Sequence, residues 1–257
     1  MRVRGSFVAL MVVVGMSGFG LAAAHAAPGG QPGPADQAAP QATLVRTDVF
    51  LPAPDRNPGR PAPATANCSN DDPSAYLSAP AFTGAVVSPT SDLVARFNSA
   101  TTPASMTSEQ ARQAFQAAFD AWSDNSSAPA FTVQSMTTGV VTKATANHHT
   151  DVLFGRTSGN ALAVTYTWHW SDGTYESDTV MNSNVSWTNI SGNTDGCAET
   201  TVAYDVQNIA THEFGHIYGL GHPANDRYAT MYAYGYTGET LKRTLATSDQ
   251  NGINQLY

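Results

Sequence analysis

Apolar residues recur at helical spacing in several parts of the chain. In a helix over residues 108–123, one face would carry the apolar residues Ala111, Phe115, Ala118, Phe119 and Trp122. Thr107 and Gln110 stand where a capping box begins such a helix. A second apolar face is formed by Val206, Ile209 and Ala210. The pattern therefore predicts helices over 108–123 and over about Asp205–Tyr218, with a final helix over about 247–256.

Alternating apolar and polar residues predict the strands. The clearest alternation runs from Leu162 to Trp168, where every second side chain is apolar. Shorter apolar stretches predict further strands at about 93–97, 131–133, 151–154 and 179–181. We therefore expect one α+β domain, in which a sheet carries helices and is followed by a C-terminal part with little regular structure.

The first 26 residues have the three parts of a secretory signal peptide. Arg2 and Arg4 give a positive start, an apolar run covers residues 7–21, and Ala24–Ala26 supplies a small-x-small cleavage site. As a membrane anchor the run is short, because a span needs about 20 apolar residues. No second run follows. We therefore expect a secreted, extracellular protein with no membrane segment after signal cleavage.

The stretch that follows the signal peptide differs in composition from the rest of the chain. Residues 27–66 are rich in Pro, Ala, Gly and Gln, and they cannot bury enough apolar surface to offset the cost of ordering them. They are a disordered linker or a pro-segment. Their only apolar patch, Thr43–Leu51, could dock in a cleft or do nothing specific. We assign the folded domain to residues 67–257.

Composition narrows the class of protein. The formal net charge is -8, from 12 basic and 20 acidic residues, so the chain lacks the basic surface of a nucleic-acid-binding protein. The two cysteines are Cys68 and Cys197. In an exported chain an even number favours a disulfide, here one that closes a loop of about 130 residues.

The residues that carry chemistry lie in the second predicted helix. His212 and His216 are four residues apart, so a helix puts both imidazoles on one face, one turn apart. Two neutral imidazoles at this spacing can bind the same Zn²⁺. Glu213 points toward the neighbouring side, where it would touch a water on the metal and act as general base.

A third ligand requires the chain to leave the helix. Gly219 can adopt the left-handed conformation that ends a helix, and the chain can then fold back and bring His222 to the metal. Three protein ligands and one open position are typical of catalytic zinc, whereas a structural zinc is closed by four. The sequence thus predicts a zinc-dependent hydrolase.

These residues resemble the signature of the metzincin metallopeptidases, which also place a methionine in a turn beneath the metal; Met231 is in that position. The flanking sequences look like those of matrixins, bacterial-type members included, over about residues 90–257. The resemblance implies a metzincin-like fold with a twisted, mostly parallel sheet, an active-site helix and a small irregular C-terminal subdomain. It also implies an endopeptidase that acts on proteins or peptides, and we expect a monomer.

Some positions depart from the matrixin pattern. The residues that bind a second, structural zinc in animal matrixins are absent, so we expect one zinc. The cysteine-switch motif is missing around Cys68. The wall of the primed-side pocket, Ala233–Tyr236, lacks the usual proline. Oxygen ligands for a possible Ca²⁺ could come from Asp178, Asn182 and Asn184.

Three questions stay open at this stage. A secreted binding module could use the zinc as a staple, although a staple needs no Glu213. The hydrolysed amide could belong to a non-protein substrate such as cell-wall peptide links. Residues 27–66 could be a plain spacer, or a pro-segment that blocks the zinc with Asp48 or Asp55.

Overall fold

A computed structural model describes residues 39–53, 87, 93–190, 202–223 and 228–257. All of its elements lie within one compact unit, Pro40–Tyr257. The strands are β1 (Ala42–Pro52), β2 (Val94–Asn98), β3 (Thr132–Met136), β4 (Thr150–Gly155), β5 (Ala163–Trp170), β6 (Tyr175–Asn182), β7 (Trp187–Thr188), β8 (Tyr204–Asp205) and β9 (Tyr234–Gly235). The helices are α1 (Ser108–Ser123), α2 (Val206–Ile217) and α3 (Thr247–Leu256).

Seven strands form one sheet in the order β3-β2-β4-β6-β5-β1-β9. Neighbours are parallel at β3-β2, β2-β4, β4-β6 and β1-β9, and antiparallel at β6-β5 and β5-β1. The mostly parallel sheet with helices confirms the predicted fold class. Between α2 and α3 the only regular elements in the described residues are β9 and a 3-10 turn, Leu241–Arg243, as expected for an irregular C-terminal part.

The core lies where α1 and α2 pack together beside the sheet. On α1, the face predicted from the sequence is buried, and Phe119 stacks on Phe214 of α2 with ring centroids 3.9 Å apart. The indole N–H of Trp122 donates to the Thr211 carbonyl oxygen of α2 (2.8 Å). Burial of these large rings fixes α2 in position, because core aromatics contribute much of a domain's apolar burial.

The predicted helices agree with the structure to within a residue at each end, and the predicted strands are present with small shifts of their ends. The exception is β1. In residues 27–66 the sequence indicated only an apolar patch, Thr43–Leu51, yet this patch lies within a strand of eleven residues, Ala42–Pro52. It pairs with β5, more than 100 residues away in sequence, so no local pattern could reveal its partner. No helix in the described ranges is long and apolar enough to cross a membrane.

The capping box of α1 gives a direct stability test. Thr107 Oγ1 accepts the Gln110 backbone N–H (3.1 Å), and the Gln110 side chain accepts the Thr107 N–H (2.8 Å). Thr107→Ala should lower the free energy of unfolding by about 1 kcal/mol, measured by chemical denaturation. Thr107→Ser, which keeps the hydroxyl, is the control and should stay close to wild type. Equal losses in both variants would contradict a role for the hydroxyl.

Candidate active site

Helix α2 begins and ends at well-defined caps. The Asp205 carboxylate accepts the Asn208 N–H (2.8 Å) at its start and is itself held by the Arg243 guanidinium (2.6 Å). At its end Gly219 has φ +104°, and two bonds close a Schellman motif: Gly219 N–H to His216 O (3.0 Å) and Leu220 N–H to Gly215 O (2.9 Å). The conformation expected of Gly219 is confirmed, and it turns the chain back toward the helix.

This reversal brings three imidazoles together. The Nε2 atoms of His212, His216 and His222 lie 3.0–3.2 Å from one another. Among the described residues, these histidines form the one group of three or more side chains that could hold a metal ion. His212 and His216 are fully buried, while His222 is half-buried. The structure therefore brings together all three residues that the sequence singled out.

Hydrogen bonds at the other ring nitrogens fix the tautomers. His212 Nδ1 lies 2.7 Å from the Thr230 carbonyl oxygen, and His216 Nδ1 lies 2.8 Å from that of Leu220. A carbonyl oxygen only accepts, so each contact favours the tautomer with the proton on Nδ1, although at His216 an Arg46 nitrogen, itself a donor, also lies 3.2 Å from Nδ1. Burial lowers the pKa of His216 and of His222 to about 3, and that of His212 well below its usual value. The rings are therefore neutral at pH 7.

A cation fits this arrangement. In neutral rings protonated at Nδ1, the facing Nε2 atoms of His212 and His216 both carry lone pairs, so their 3.2 Å contact cannot be a hydrogen bond. A tetrahedral Zn²⁺ with Zn–N distances of about 2.0–2.1 Å would place its nitrogen ligands about 3.3 Å apart. The observed spacing is close to that value, and the imidazole donor set suits zinc.

Glu213 lies beside the histidines with one oxygen held and one unpaired. Its Oε2 accepts the hydroxyl of Thr165 on β5 (2.5 Å), while the buried Oε1 has no hydrogen-bond partner. Burial raises the pKa of this carboxyl well above its usual range. A buried carboxylate oxygen with no partner in the protein marks a place for a water or a reacting group. The role of Thr165 could not be predicted from the sequence, because a strand threonine carries no signal of its own.

Met231, which the metzincin resemblance places beneath the metal, packs against α2. A Cβ added to Gly215 of α2 would lie 2.2 Å from Met231 Sδ and 2.6 Å from Trp122 Cζ2, so the methionine side chain touches the helix backbone. The turn is held by Asp249 of α3, which accepts the N–H groups of Thr230 (2.7 Å) and Met231 (3.1 Å). Thr230 in turn supplies the carbonyl that orients His212.

The role of Asp249 was not predicted. The sequence placed it near the start of the final helix, where an acidic residue is common, and gave no sign that it binds a turn 18 residues earlier. Burial raises its pKa to about 6, although three backbone N–H groups, the third that of Ala246, favour the ionised form. Asp249 thus links α3 to the metal site through the backbone of the methionine turn.

Strand β1 lies directly against the site. Arg46 donates to the carbonyl oxygens of Gly219 (3.2 Å) and Leu220 (2.5 Å). Asp48 Oδ1 is 3.7 Å from His216 Nδ1 and is paired with Arg46 through its other oxygen. The Phe50 ring is fully buried, with its centroid 4.2 Å from that of His212. Three alternate residues of one strand therefore cover the histidines.

Two of the three possible calcium ligands, Asp178 and Asn182, have other partners. Asp178 accepts the N–H groups of Thr145 (2.8 Å) and Asp151 (2.9 Å). The Asn182 side chain donates to the Ala161 carbonyl and accepts the Asn184 N–H. These oxygens already accept protein hydrogen bonds, which gives no support for Ca²⁺ there. Cys68, Cys197 and Asp55 lie outside the described residues.

Comparison with known proteins identifies the family to which this chain belongs. The family model described as Matrixin matches residues 90–257, more than half of the chain. Metalloendoproteinase 1 of Glycine max is 44 % identical over 57 residues, 22 % of this chain and 18 % of that protein. Metalloendoproteinase 2-MMP of Arabidopsis thaliana is 29 % identical over 157 residues, 60 % of this chain and 39 % of that protein. The chain thus spans less than half the length of either relative.

The contact between Gly215 and Met231 gives a second stability test. In an open helix Gly→Ala stabilises by up to about 1 kcal/mol. Here we expect Gly215→Ala to lower the free energy of unfolding by about 1–3 kcal/mol, because its methyl would overlap Met231 Sδ.

The double variant Gly215→Ala/Met231→Ala tests this cause. Removing the Met231 side chain takes away the nearer of the two clashing groups and leaves Trp122 Cζ2 at 2.6 Å, so the double variant should be more stable than the sum of the two single losses predicts. Chemical denaturation of the four proteins measures the difference. Strict additivity would show that the two residues do not press on each other.

Proposed function

The chain belongs to the matrixin family, and we propose on that premise that it is a zinc-dependent endopeptidase. The observation that carries the proposal is the convergence of three neutral Nε2 atoms next to the buried, unpaired Oε1 of Glu213. A structural metal site has four protein ligands and needs no base. Three ligands beside a free carboxylate oxygen favour catalysis.

In this proposal His212, His216 and His222 hold one zinc ion. When bound, Zn²⁺ supplies a Lewis acid that lowers the pKa of water and polarises the scissile carbonyl. The three histidines only ligate. Carbonyl oxygens orient two of them, that of Thr230 for His212 and that of Leu220 for His216. Met231 serves as the packed floor.

Glu213 acts as the general base. Its Oε1 takes a proton from the attacking water, and the same carboxyl then delivers that proton to the leaving amine. The Thr165 hydroxyl, 2.5 Å from Oε2, holds the other oxygen and so aims Oε1 at the reacting water. Although burial alone raises the pKa of Glu213, the charge of the bound metal favours the ionised form.

Substrate binds in an extended form along β5. We propose that its backbone pairs with β5 in the place that β1 takes in the structure, with β9 on its other side as the wall of the primed-side pocket. The order of strands supports the proposal, because β1 occupies the slot between β5 and β9 in this way.

The export, disulfide pairing and oligomeric state of the enzyme are proposed from the sequence. We propose that residues 1–26 direct export and are removed, that Cys68 and Cys197 pair in the oxidising exterior, and that the enzyme works as a monomer with a single zinc. Residues 27–66 we propose as a pro-segment, because their described part includes β1 and lies at the site.

Two rival functions make different predictions. A secreted binding module would hold the metal without turnover. An amidase of cell-wall peptides would share the ligands and the base but would prefer cell-wall material to casein. Parallel digestion of the two substrates separates this amidase from a proteinase.

Glu213→Ala should keep one zinc per chain and the wild-type fold, yet lose hydrolysis by about 10²-fold or more, since general-base catalysis contributes 10²–10⁴-fold. His216→Ala is the matched control and should lose the metal as well. Zinc is measured by elemental analysis, and hydrolysis with labelled casein, with and without a chelator.

Strand β1 lies in the place proposed for the substrate. Hydrolysis is therefore measured both in the wild-type chain and in a chain that carries Phe50→Ala, which removes the buried ring of β1. Zinc-free wild-type protein would refute the metal assignment. Retained hydrolysis in Glu213→Ala would refute the assignment of the base. Zinc with no hydrolysis in either background would favour the binding module.

A further inference from the structure

Two threonines lie side by side in the sheet next to Glu213. Thr165 on β5 and Thr179 on β6 are opposite each other in the strand register, and both are fully buried. On the same face, the next pair along these strands is Ala163 and Met181, which belong to the hydrophobic core. Threonine and valine have nearly the same shape, so packing alone does not explain the hydroxyls, and a buried hydroxyl costs free energy unless it is hydrogen-bonded.

The hydrogen bonds of these two hydroxyls have one consistent direction. Thr165 Oγ1 is 2.5 Å from Glu213 Oε2 and 2.8 Å from Thr179 Oγ1. A hydroxyl has one proton to donate, whereas an ionised carboxylate only accepts. Thr165 therefore donates to Glu213, and its oxygen accepts the proton of Thr179. The distances agree with this direction, because bonds from a hydroxyl to a carboxylate are about 2.5–2.7 Å long and those between neutral hydroxyls about 2.7–2.8 Å.

This chain of hydroxyls connects the general base to the interior of the sheet. Strand β6 lies between β4 and β5, and Thr179 is paired in register with Val152 on one side and with Thr165 on the other. Hydrogen bonds in series polarise one another in a dry interior, so the bond from Thr179 strengthens the bond from Thr165 to Glu213. Glu213 is therefore held both by its own helix and by two strands of the sheet.

One oxygen of Glu213 is left for proton transfer. Oε2 accepts the Thr165 hydroxyl, whereas the buried Oε1 has no hydrogen-bond partner among the described residues. During hydrolysis, Oε1 would take a proton from the attacking water as the new C–O bond forms. It would then give that proton to the amine nitrogen as the C–N bond breaks, while Oε2 keeps its bond to Thr165 and exchanges no proton.

We infer that Thr165 and Thr179 are positioning residues: Thr179 orients the Thr165 hydroxyl, and Thr165 holds Oε2 so that Oε1 alone carries the proton in both steps. The inference rests on the proposed peptidase function. It adds to that function a second hydroxyl, that of Thr179, and a separate role for each carboxylate oxygen of Glu213. Neither hydroxyl contacts the reacting atoms.

The first test compares the hydrolysis of a peptide by valine variants, in the wild-type chain and in the chain with Phe50→Ala. Thr165→Val should lower kcat by about tenfold or more with little change in KM, because a hydrogen bond to a charged group is lost. Thr179→Val should lower kcat by about threefold, because Thr165 keeps its bond to Glu213 and loses only the reinforcement. Rates are expressed per bound zinc, so that a smaller folded fraction does not count as a loss of kcat.

Two further variants serve as controls. Thr165→Ser keeps the hydroxyl and should stay within about threefold of wild type. Ser177→Ala breaks the neighbouring hydroxyl pair on the same face, that of Thr167 and Ser177 (3.0 Å), which does not contact Glu213. Its kcat should stay within about twofold of wild type. A loss in Ser177→Ala equal to that in Thr165→Val would overturn the positioning role.

A double-mutant cycle separates positioning from a structural effect. In the Glu213→Ala chain no carboxylate is left to hold, so adding Thr165→Val should cause no further loss of the residual hydrolysis. An equal loss in the two backgrounds would overturn the positioning role, because it would show that Thr165 acts independently of Glu213.

A second readout does not depend on hydrolysis. In protein with ¹³C-labelled threonine, the buried Thr165 hydroxyl proton should give a downfield signal in ¹H NMR, because its bond to a carboxylate is short. Glu213→Gln should move this signal upfield, and Thr179→Val should move it in the same direction by less. Ser177→Ala should leave it in place. A Thr165 signal that neither Glu213→Gln nor Thr179→Val moves would overturn the chain of hydroxyls.

The outcomes distinguish the inference from the function on which it rests. Hydrolysis by wild type with no loss in Thr165→Val would overturn the positioning role and leave the peptidase standing. Full activity in Thr179→Val would overturn the role of the second hydroxyl. Absence of hydrolysis from both the wild-type and the Phe50→Ala chains, with the NMR result as expected, would instead overturn the peptidase assignment and the positioning role with it.

Discussion

The site depends on one electrostatic constraint, the close approach of three neutral imidazole nitrogens. The Nε2 atoms lie 3.0–3.2 Å apart, and the facing lone pairs of His212 and His216 repel unless a cation lies between them, so the fold must hold the rings there by other contacts. The Schellman turn after α2 returns the chain to His222, and carbonyl oxygens fix the rings of His212 and His216. Asp249 extends this support to the last helix. These contacts hold the three rings around one point.

The same residues serve the core and the site. Helix α2 is buried on nearly all sides, with Phe214 stacked on Phe119 and with Met231 pressed against Gly215. A cavity or an added methyl in this region would move the histidines together with the helix. Core packing and metal geometry are thus coupled, and a substitution aimed at one is expected to affect the other.

The features that could be predicted from the sequence are those set by interactions between residues close together in the chain. Helix α1 follows from its capping box and apolar face, and the metal group follows from the spacing of His212, His216 and His222 around Gly219. Thr165 and Asp249 were missed because each acts across the fold on a group far away in sequence. Strand β1 was missed for the same reason, since a short apolar patch in a Pro- and Ala-rich region shows no partner until β5 is in place.

Strand β1 also completes the sheet. With it in place, the β5 backbone groups that face it have partners; without it, β5 would be an open edge, the feature through which β-proteins aggregate with one another. Covering β5 therefore protects each chain from pairing edge to edge with its own copies.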